Sequence, residues 1–333
     1  MSNQCTILIP THNRANYLDR CVRWFLELGH PIIIADSSQD AWQSDLRQHD
    51  AVCYLHHAGG FEVYPAKLQE AVARVQTPFV VMCADDDFIT SEGLEACIDF
   101  LSRHPDYSFS QGYAYTFQVF GRRPVVWPMP YDHHDNHADS WIERVESAFS
   151  TVYYGVLRTE VLRDAIAFLA KQDFSETLVS AVGFFDSSLT MYAARCGKFK
   201  RCPVPFALRE YSSQTTAVGT RYLTITSRNV ADFYRNLEAF VLGPDGSGDA
   251  RARLRKVFAR DYAGQIQYDL SPKRSKKTFF RHWPGPIITH MEYVYRLCSA
   301  ARSYCSAARV SFLKLFFSPE YARFKQFVLQ EER

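Results

Sequence analysis

Short apolar runs alternate with amphipathic segments along the first hundred residues of the chain. Each run ends in polar or turn-forming residues, which is typical of buried β-strands. Between the runs, apolar residues recur at helical spacing, as Leu18, Val22, Phe25 and Leu26 do before Gly29. Strands are predicted over residues 6–9, 31–35, 51–55 and 79–84, and helices over residues 17–28, 66–75 and 91–103. Buried strands separated by helices predict an α/β fold with a mostly parallel sheet that helices cover on both faces.

Clusters of polar residues follow three of these strands directly. Residues 10–14 follow the first strand, residues 36–38 the second and residues 85–87 the fourth. Ligands of such sheets bind beyond the carboxyl ends of the strands. We therefore expect the three clusters to lie on one rim and to form a site.

The pattern changes after residue 105. Alternating aromatic residues predict antiparallel strands over residues 107–126, and helical periodicity returns over residues 141–149, 160–169 and 182–195. Beyond residue 220 the chain has a helical pattern, which the glycine-rich stretch 243–248 interrupts as a predicted linker.

The composition narrows the class of protein. Hydrophobic residues make up 47% of the chain, which excludes global disorder. The nine cysteines are odd in number and show no CxxC spacing, so a disulfide framework or a zinc ribbon is not expected. With no charged leader and no apolar run of about 20 residues, the sequence predicts a cytoplasmic protein.

The charge is uneven although the net charge is only +2. Residues 272–333 contain twelve Lys and Arg against four Glu, a local balance of +8, so residues 1–271 sum to −6. A basic, amphipathic stretch over residues 293–317 predicts peripheral contact with an anionic membrane surface, and packing on the rest of the protein remains the alternative. Nucleic acid binding is not expected, since nothing else in the sequence suggests base readout.

Three adjacent aspartates, Asp85, Asp86 and Asp87, end the fourth predicted strand. Their carboxylates repel one another unless a cation or hydrogen-bond donors neutralise them. A hard divalent cation is the natural partner for such oxygens and would also hold a diphosphate. An acidic loop that caps the helix starting near Ser91 is the alternative.

Four segments together resemble the family 2 glycosyltransferases of GT-A fold. Residues 6–14 (TILIPTHNR) resemble the first strand and turn of that family, and residues 33–40 (IIADSSQD) resemble its nucleobase-binding segment. Residues 84–87 (ADDD) resemble its metal-binding Asp-x-Asp motif, although Ala84 stands where many members have the first Asp. Residues 183–186 (GFFD) resemble the segment that carries the catalytic base. The resemblance extends over residues 5–215.

The resemblance implies a metal-dependent, inverting glycosyltransferase that uses Mn²⁺ or Mg²⁺. The enzyme would move a hexosyl or pentosyl group from a nucleotide diphosphate donor, most simply of UDP type, to a hydroxyl of a glycan or lipid-linked acceptor, as in polysaccharide biosynthesis. Asp36 would accept a hydrogen bond from uracil, and Asp87, followed by Asp86, would bind the metal. The implied donor-binding residues are Pro10, Thr11, Asn13, Arg14, Asp36, Lys67, Asp85 and Asp86. A turn role for Asp36 and a solvated position for Lys67 are the alternatives.

The second half of the resemblance concerns the acceptor. Asp186 would be the general base that takes the proton of the acceptor hydroxyl, and its alternative role is the N-cap of a helix over residues 187–195. Arg209 would contact the diphosphate or form a surface salt bridge, while Tyr154 and Gly155 would line the acceptor site or pack in the core. Residues 132–137, rich in His and Asp, are expected to form a mobile loop over the acceptor cleft, with metal binding as the alternative.

These inferences divide the chain into a catalytic domain over residues 1–220 and a helical extension over residues 221–333. Within the first, residues 1–105 would bind the nucleotide and residues 106–220 the acceptor. Residues 10–14 contain no glycine, which argues against a nucleotidyltransferase. A non-catalytic nucleotide-sugar-binding module and an alditol-phosphate transferase remain as alternative functions.

Overall fold

A computed structural model describes residues 4–120, 123–128, 135–148, 152–172, 180–211, 227–243, 246–270, 315 and 318–330. The strands are β1 (Cys5–Thr11), β2 (Ile32–Asp36), β3 (Val52–His56), β4 (Phe79–Met82), β5 (Phe88–Ile89), β6 (Tyr107–Phe120), β7 (Arg123–Pro128), β8 (Val156–Arg158) and β9 (Lys198–Glu210). The helices are α1 (Ala15–Leu26), α2 (Tyr64–Ala73), α3 (Ser91–Arg103), α4 (Trp141–Ser147), α5 (Thr159–Leu169), α6 (Ser180–Cys196), α7 (Ser227–Leu242), α8 (Gly248–Leu270) and α9 (Pro319–Gln330).

One sheet organises the described residues, in the strand order β3-β2-β1-β4-β8-β6-β9-β5, with β7 paired to β6. The first four strands of this order are mutually parallel, while β8 runs antiparallel to both β4 and β6. The mixed α/β fold predicted from the sequence is thus confirmed. The antiparallel pair predicted over residues 107–126 corresponds to β6 and β7.

Alternation along the strands separates two hydrophobic cores, one on each face of the sheet. Leu8 of β1 packs with α2, α5 and α6, whereas its neighbours Ile7 and Ile9 pack with α1 and α3. Successive side chains of a strand point to opposite faces, so an uninterrupted apolar run supplies both cores at once.

The described helices after residue 226 join these same two cores. Leu237 and Leu254 of α7 and α8 lie in the core that contains α5 and α6, and Phe324 of α9 lies in the core that contains α1 and α3. These helices pack on the rest of the protein, whereas the stretch over residues 293–317 lies outside the described residues except for Leu315. The glycine-rich stretch separates α7 from α8, which share one core.

Helix α6 corrects one expectation from the sequence. The helix already includes Ser180, so Asp186 lies inside it and does not cap a helix over residues 187–195. Most of the basic stretch over residues 272–317 lies outside the described residues. Among the helices that the structure does describe, none is both long enough and apolar enough to cross a membrane.

Candidate functional site

The predicted rim forms where β1 and β2 end side by side. Thr11, the last residue of β1, is the register partner of Asp36, the last residue of β2. The loop of Asp85, Asp86 and Asp87, called the acidic loop below, leaves β4 on the other side of β1. The Thr11 hydroxyl donates to Oδ2 of Asp85 at 2.6 Å, so the first and third polar clusters are in direct contact.

The turn after β1 is tied to the turn after β2. Pro10 pairs in register with Ala35, and Asn13 adopts a left-handed conformation with φ of 55°. Asn13 is among the residues that tolerate this region. Its backbone N–H donates to Ser38 Oγ at 2.7 Å, and its Oδ1 accepts from the backbone N–H of Gln39 at 3.2 Å. The turn therefore holds Arg14 at the start of α1 in a defined position.

Asp36 is buried and has three hydrogen bonds from protein donors. Its Oδ1 accepts from the backbone N–H and the hydroxyl of Ser38, at 2.8 and 2.5 Å, and its Oδ2 accepts from the Tyr54 hydroxyl at 2.7 Å. Asp36 thus does stabilise a turn, the alternative left open by the sequence. A nucleobase bound here would share the carboxylate with these donors.

Lys67 of α2 is buried, which excludes the alternative of a solvated surface lysine. Its ammonium donates to the carbonyl oxygen of Thr11 at 2.7 Å and to Ser37 Oγ at 2.8 Å. Burial lowers the pKa of Lys67 to about 8, although the nearby charges of Asp36 and Asp85 act in the opposite direction. A positive charge therefore lies directly beneath the junction of the β1 and β2 turns.

Arginine neutralises the first half of the acidic loop. Arg14 Nη1 lies 2.8 Å from Asp85 Oδ1, and Arg14 Nη2 lies 2.5 Å from Asp86 Oδ2. Burial raises the pKa of Asp85 to about 7, with Arg14 opposing that rise and Asp86 adding to it. The mutual repulsion expected from the sequence is thus offset by donors of the protein itself.

Asp87 links the loop after β4 to β9 and to the segment before β8. Its Oδ1 accepts from the backbone N–H of Glu210 at 2.7 Å, and its Oδ2 accepts from the Tyr154 hydroxyl at 2.5 Å and from Arg209 Nε at 3.4 Å. The Arg209 guanidinium also lies 4.3 Å from the centre of the Tyr154 ring. Burial raises the pKa of Asp87 to about 7, and the charge of Asp86 raises it further against the effect of Arg209. Arg209 thus contacts the acidic loop.

Gly155 has a packing role in the structure. A Cβ atom at this position would overlap the ring of Phe109, a buried residue of β6. Tyr154 is buried too. Both residues, predicted to line the acceptor site or the core, occupy core positions next to the acidic loop.

The donor set of the acidic loop suits a divalent cation only in part. The described residues contain no group of three or more His, Cys, Asp and Glu side chains arranged to hold a metal ion. Magnesium in nucleotide enzymes is, however, usually held by one or two carboxylates together with the phosphates of the substrate. Asp86 fits that role, because among the described residues only Arg14 donates to its carboxylate. Asp87, with three donors, fits it less well, the reverse of the order expected from the sequence.

Asp186 is linked to this region through tyrosines. Burial raises the pKa of Tyr64 at the start of α2, and the charge of Asp186 is the second cause. Asp186 also helps to raise the pKa of Tyr153, after burial and two neighbouring tyrosines. The ring of Tyr153 lies 5.0 Å from that of Tyr154, which bonds to Asp87. Asp186 therefore lies near Tyr153, whose neighbour Tyr154 bonds to Asp87.

A buried ion pair beneath the acidic loop was not foreseen from the sequence. Arg20 of α1 pairs with Glu210 at the end of β9 and also donates to the carbonyl oxygen of Asp86 at 3.4 Å. The available signal was its place in the apolar stripe of α1, between Leu18 and Cys21.

The loop rich in His and Asp lies away from the acidic loop where the structure describes it. Asp135 accepts from the Lys200 ammonium at 2.9 Å and from the backbone N–H of Arg201 at 2.6 Å, near the start of β9. The contact of Glu210 with Asp87 is at the other end of this strand, roughly 30 Å away at the usual rise per residue. Residues 135–137 therefore do not cover the acidic loop, and residues 132–134 lie outside the described ranges.

Comparison with models of protein families gives a match over the first part of the chain. The model of the family described as glycosyl transferase family 2 matches residues 6–157, a range that contains β1, β2, β4 and the acidic loop. A search of curated proteins found no match.

Solved structures of TarS from S. aureus share the fold. A complex of TarS residues 1–349 with UDP-GlcNAc matches with a TM-score of 0.55 at 16% identity, over 98% of this chain and 89% of that one. The complex of the same TarS residues with UDP matches with a TM-score of 0.54 at 13% identity, over 98% of this chain and 88% of that one. A longer TarS structure matches with a TM-score of 0.53 at 12% identity. The match includes 91% of this chain but only 54% of the TarS chain.

Proposed function

We propose that this chain, whose residues 6–157 form a glycosyl transferase family 2 domain, transfers a sugar from a nucleotide diphosphate donor to a hydroxyl group of an acceptor. The observation that supports this most strongly is the junction of the β1 turn, the β2 turn and the acidic loop within the matched residues. In open α/β sheets this edge is the place where nucleotides bind.

A uridine nucleotide is the donor that we favour. Two of the TarS structures that share the fold are complexes, one with UDP-GlcNAc and one with UDP. In this chain Asp36 would accept the imide hydrogen of uracil, while Pro10, Thr11 and Asn13 would line the base and ribose. Asp85 would contact the ribose. The buried ammonium of Lys67 favours a negatively charged ligand above the two turns.

The acidic loop would hold the metal. Family members often use a divalent cation. Asp86 would be the principal ligand, since Asp87 is engaged by Tyr154, Arg209 and Glu210. When bound, Mn²⁺ or Mg²⁺ supplies electrostatic stabilisation of the departing diphosphate. Arg209, beside Asp87, is the basic residue of β9 placed to assist.

Asp186 would act as the general base of an inverting transfer. Its side chain is half-buried, and its charge helps to raise the pKa of the nearby Tyr64 and Tyr153. The acceptor hydroxyl would lose its proton to Asp186 while the sugar leaves the donor.

The acceptor is proposed as a glycan or a lipid-linked molecule, in a cytoplasmic enzyme of polysaccharide synthesis. Contact with the membrane surface would come from the basic residues 273–317, most of which lie outside the described ranges.

The direct test is turnover of nucleotide-sugars by the purified protein with Mn²⁺. We expect slow release of UDP from at least one UDP-sugar in the absence of acceptor, and a fall of about 10²–10⁴-fold in Asp186→Asn. Asp164→Asn, on the neighbouring helix α5, is the matched control and should keep the wild-type rate. Binding without turnover would favour a non-catalytic module, and turnover of an alditol-phosphate donor would favour the other alternative.

A further inference from the structure

The Arg14 guanidinium occupies the space between two carboxylates of the acidic loop. One of its terminal nitrogens contacts Asp85 at 2.8 Å and the other contacts Asp86 at 2.5 Å, so a single planar group bridges both residues. The two aspartates are 4% and 6% exposed at their side chains, and Arg14 is 12% exposed. The bridge is therefore almost fully shielded from water, where such ion pairs are screened least.

The backbone directs Arg14 to this position. Arg14 immediately precedes α1 and follows Asn13, whose left-handed conformation turns the chain over the end of β1. The Arg14 guanidinium lies 4.4 Å from the centre of the Tyr17 ring, one turn along the helix. A rigid, forked cation held from two sides suits a pair of carboxylates better than a flexible ammonium would.

The acidic loop lies among basic residues. Its three carboxylates face three cations, Arg14, Arg209 and Lys67, of which Lys67 acts on Asp85 through its charge. Arg20 and Glu210 cancel each other. A divalent cation alone would add two positive charges beside Arg14, whereas the negative charges of a diphosphate offset those of a cation that binds with it.

We propose that Arg14 is the resident counter-cation of the Asp85–Asp86 pair and couples entry of the metal to binding of the diphosphate. Without a nucleotide, Arg14 holds an oxygen of Asp86 and repels a second cation. When a diphosphate is present, its oxygens offer the guanidinium a bidentate partner of the same kind. Arg14 then leaves Asp86 to the metal. The inference rests on the proposed donor site and adds an order of binding to it.

This arrangement predicts strong coupling between the two ligands. Mn²⁺ should bind weakly to the free protein and more tightly in the presence of UDP, by a factor within the usual range of about 5–150. Replacing Arg14 by glutamine removes the competing charge and leaves two unpaired carboxylates. The affinity of this variant for Mn²⁺ alone should rise on the order of tenfold, because its acidic loop has lost a nearby cation. Its coupling to UDP should shrink correspondingly.

The test is the binding of Mn²⁺ followed by electron paramagnetic resonance, with and without UDP. The proteins are wild type, Arg14→Gln, Arg14→Lys and the control Arg23→Gln, which replaces an exposed arginine of α1. Tighter binding of Mn²⁺ alone to Arg14→Gln than to wild type and control supports the proposal. Equal or weaker binding overturns it.

The remaining outcomes are also decisive. Arg14→Lys keeps the charge but loses the fork, so its affinity for Mn²⁺ alone should lie between those of wild type and Arg14→Gln. If Arg14→Gln does not fold, an unchanged Mn²⁺ affinity in Arg14→Lys overturns the proposal. If UDP has no effect on wild type, the donor proposal fails, while the measurement without UDP still decides the role of Arg14 in excluding the cation.

Discussion

Buried polar side chains at the rim depend on one another for their hydrogen bonds. Lys67 illustrates the cost of this arrangement, because its ammonium is held by a carbonyl and a hydroxyl, neither of which carries a full charge. Burial therefore outweighs the more distant carboxylates and lowers its pKa to about 8. A ligand with negative charge would relieve this cost, as expected of a binding site.

The stability of the protein should depend on pH through Lys67. The lysine has a pKa of about 8 in the folded chain and 10.5 as an unperturbed group, so between these values the unfolded chain binds more protons. The free energy of unfolding should therefore rise with pH across this window, by up to about 3 kcal/mol. Urea titrations from pH 7.5 to 10.5 should show this rise in wild type but not in Lys67→Met. Lys256→Met, at an exposed position of α8, is the control, and a constant difference between wild type and Lys67→Met would contradict the prediction.

Removing the Tyr154 hydroxyl should destabilise the fold. Tyr154→Phe takes away a buried donor to Asp87, which we expect to cost about 1–3 kcal/mol in the free energy of unfolding. The control is Tyr192→Phe, because the hydroxyl of Tyr192 bonds to Asp164 at an exposed site. Equal costs for the two variants, measured by chemical denaturation, would mean that Asp87 does not depend on Tyr154.

Individual site residues were predictable where they follow a strand directly. Asp36 and the acidic loop could be found because parallel strands bring their carboxyl ends to one edge. Their partners could not be found, since Glu210 is 190 residues from Arg20 and only the closed sheet brings them together. The burial of Lys67 was equally hidden, because a lysine in a helical pattern gives no sign of which face it occupies.

Close packing around β8, an inner strand of the sheet, positions the site. Gly155 precedes β8, which pairs with both β4 and β6, and Phe109 of β6 fills the space above it. This contact sets the position of the adjacent Tyr154 and thereby that of Asp87.

Gly155→Ala should therefore disturb the packing of β8 against β6 and lower the stability of the fold. The added methyl group would overlap the Phe109 ring, and overpacking of this kind costs about 1–3 kcal/mol. Thermal unfolding of Gly155→Ala should show the loss, whereas Gly248→Ala, where nothing lies within 4 Å of the new atom, should not. A Gly155→Ala protein as stable as wild type would indicate that Phe109 moves aside without cost.

Helix α6 shows why the start of an element is harder to predict than its existence. A glycine followed by aromatic residues over 183–186 was interpreted as the entry to the helix, yet the helix includes Ser180. Helix α6 packs against α5 and α4, and its extent depends on such tertiary contacts as well as on local sequence preferences. The role of Asp186 as a base remains a prediction, while its role as a cap is excluded.

The two ends of the chain meet in one core of the molecule. Phe324 of α9 is fully buried against Trp24, Phe88 and Phe117, and Phe88 directly follows the acidic loop. Glu320 also accepts a hydrogen bond from the backbone N–H of Ser91 at 2.5 Å, next to the start of α3. Helix α9 thus contacts the residues that directly follow the acidic loop.

Truncating this contact should weaken the whole fold. Phe324→Ala leaves a large cavity among aromatic rings, which we expect to cost about 3–5 kcal/mol in the free energy of unfolding. Gln326→Ala, two residues along on the exposed side of α9, should change stability little. Comparable stability of the two variants in urea titrations would show that α9 does not belong to the catalytic core.

The division of the chain at residue 220 could not be tested by local patterns. A helical pattern predicts helices but does not indicate which face of the sheet receives them, so the return of α9 to the core of α1 and α3 was invisible in the sequence. The parallel pairing of strands β1 to β4 could be predicted, because buried strands separated by helices are typical of a parallel sheet.

We propose above all that the acidic loop and the two neighbouring turns bind a nucleoside diphosphate. Isothermal titration calorimetry of UDP with Mn²⁺ tests this claim directly in wild type, Asp86→Asn and Asp99→Asn, an exposed control on α3. We predict saturable binding to wild type and to Asp99→Asn, and binding at least about tenfold weaker to Asp86→Asn. Absence of binding to wild type, or equal affinity in Asp86→Asn, would contradict it.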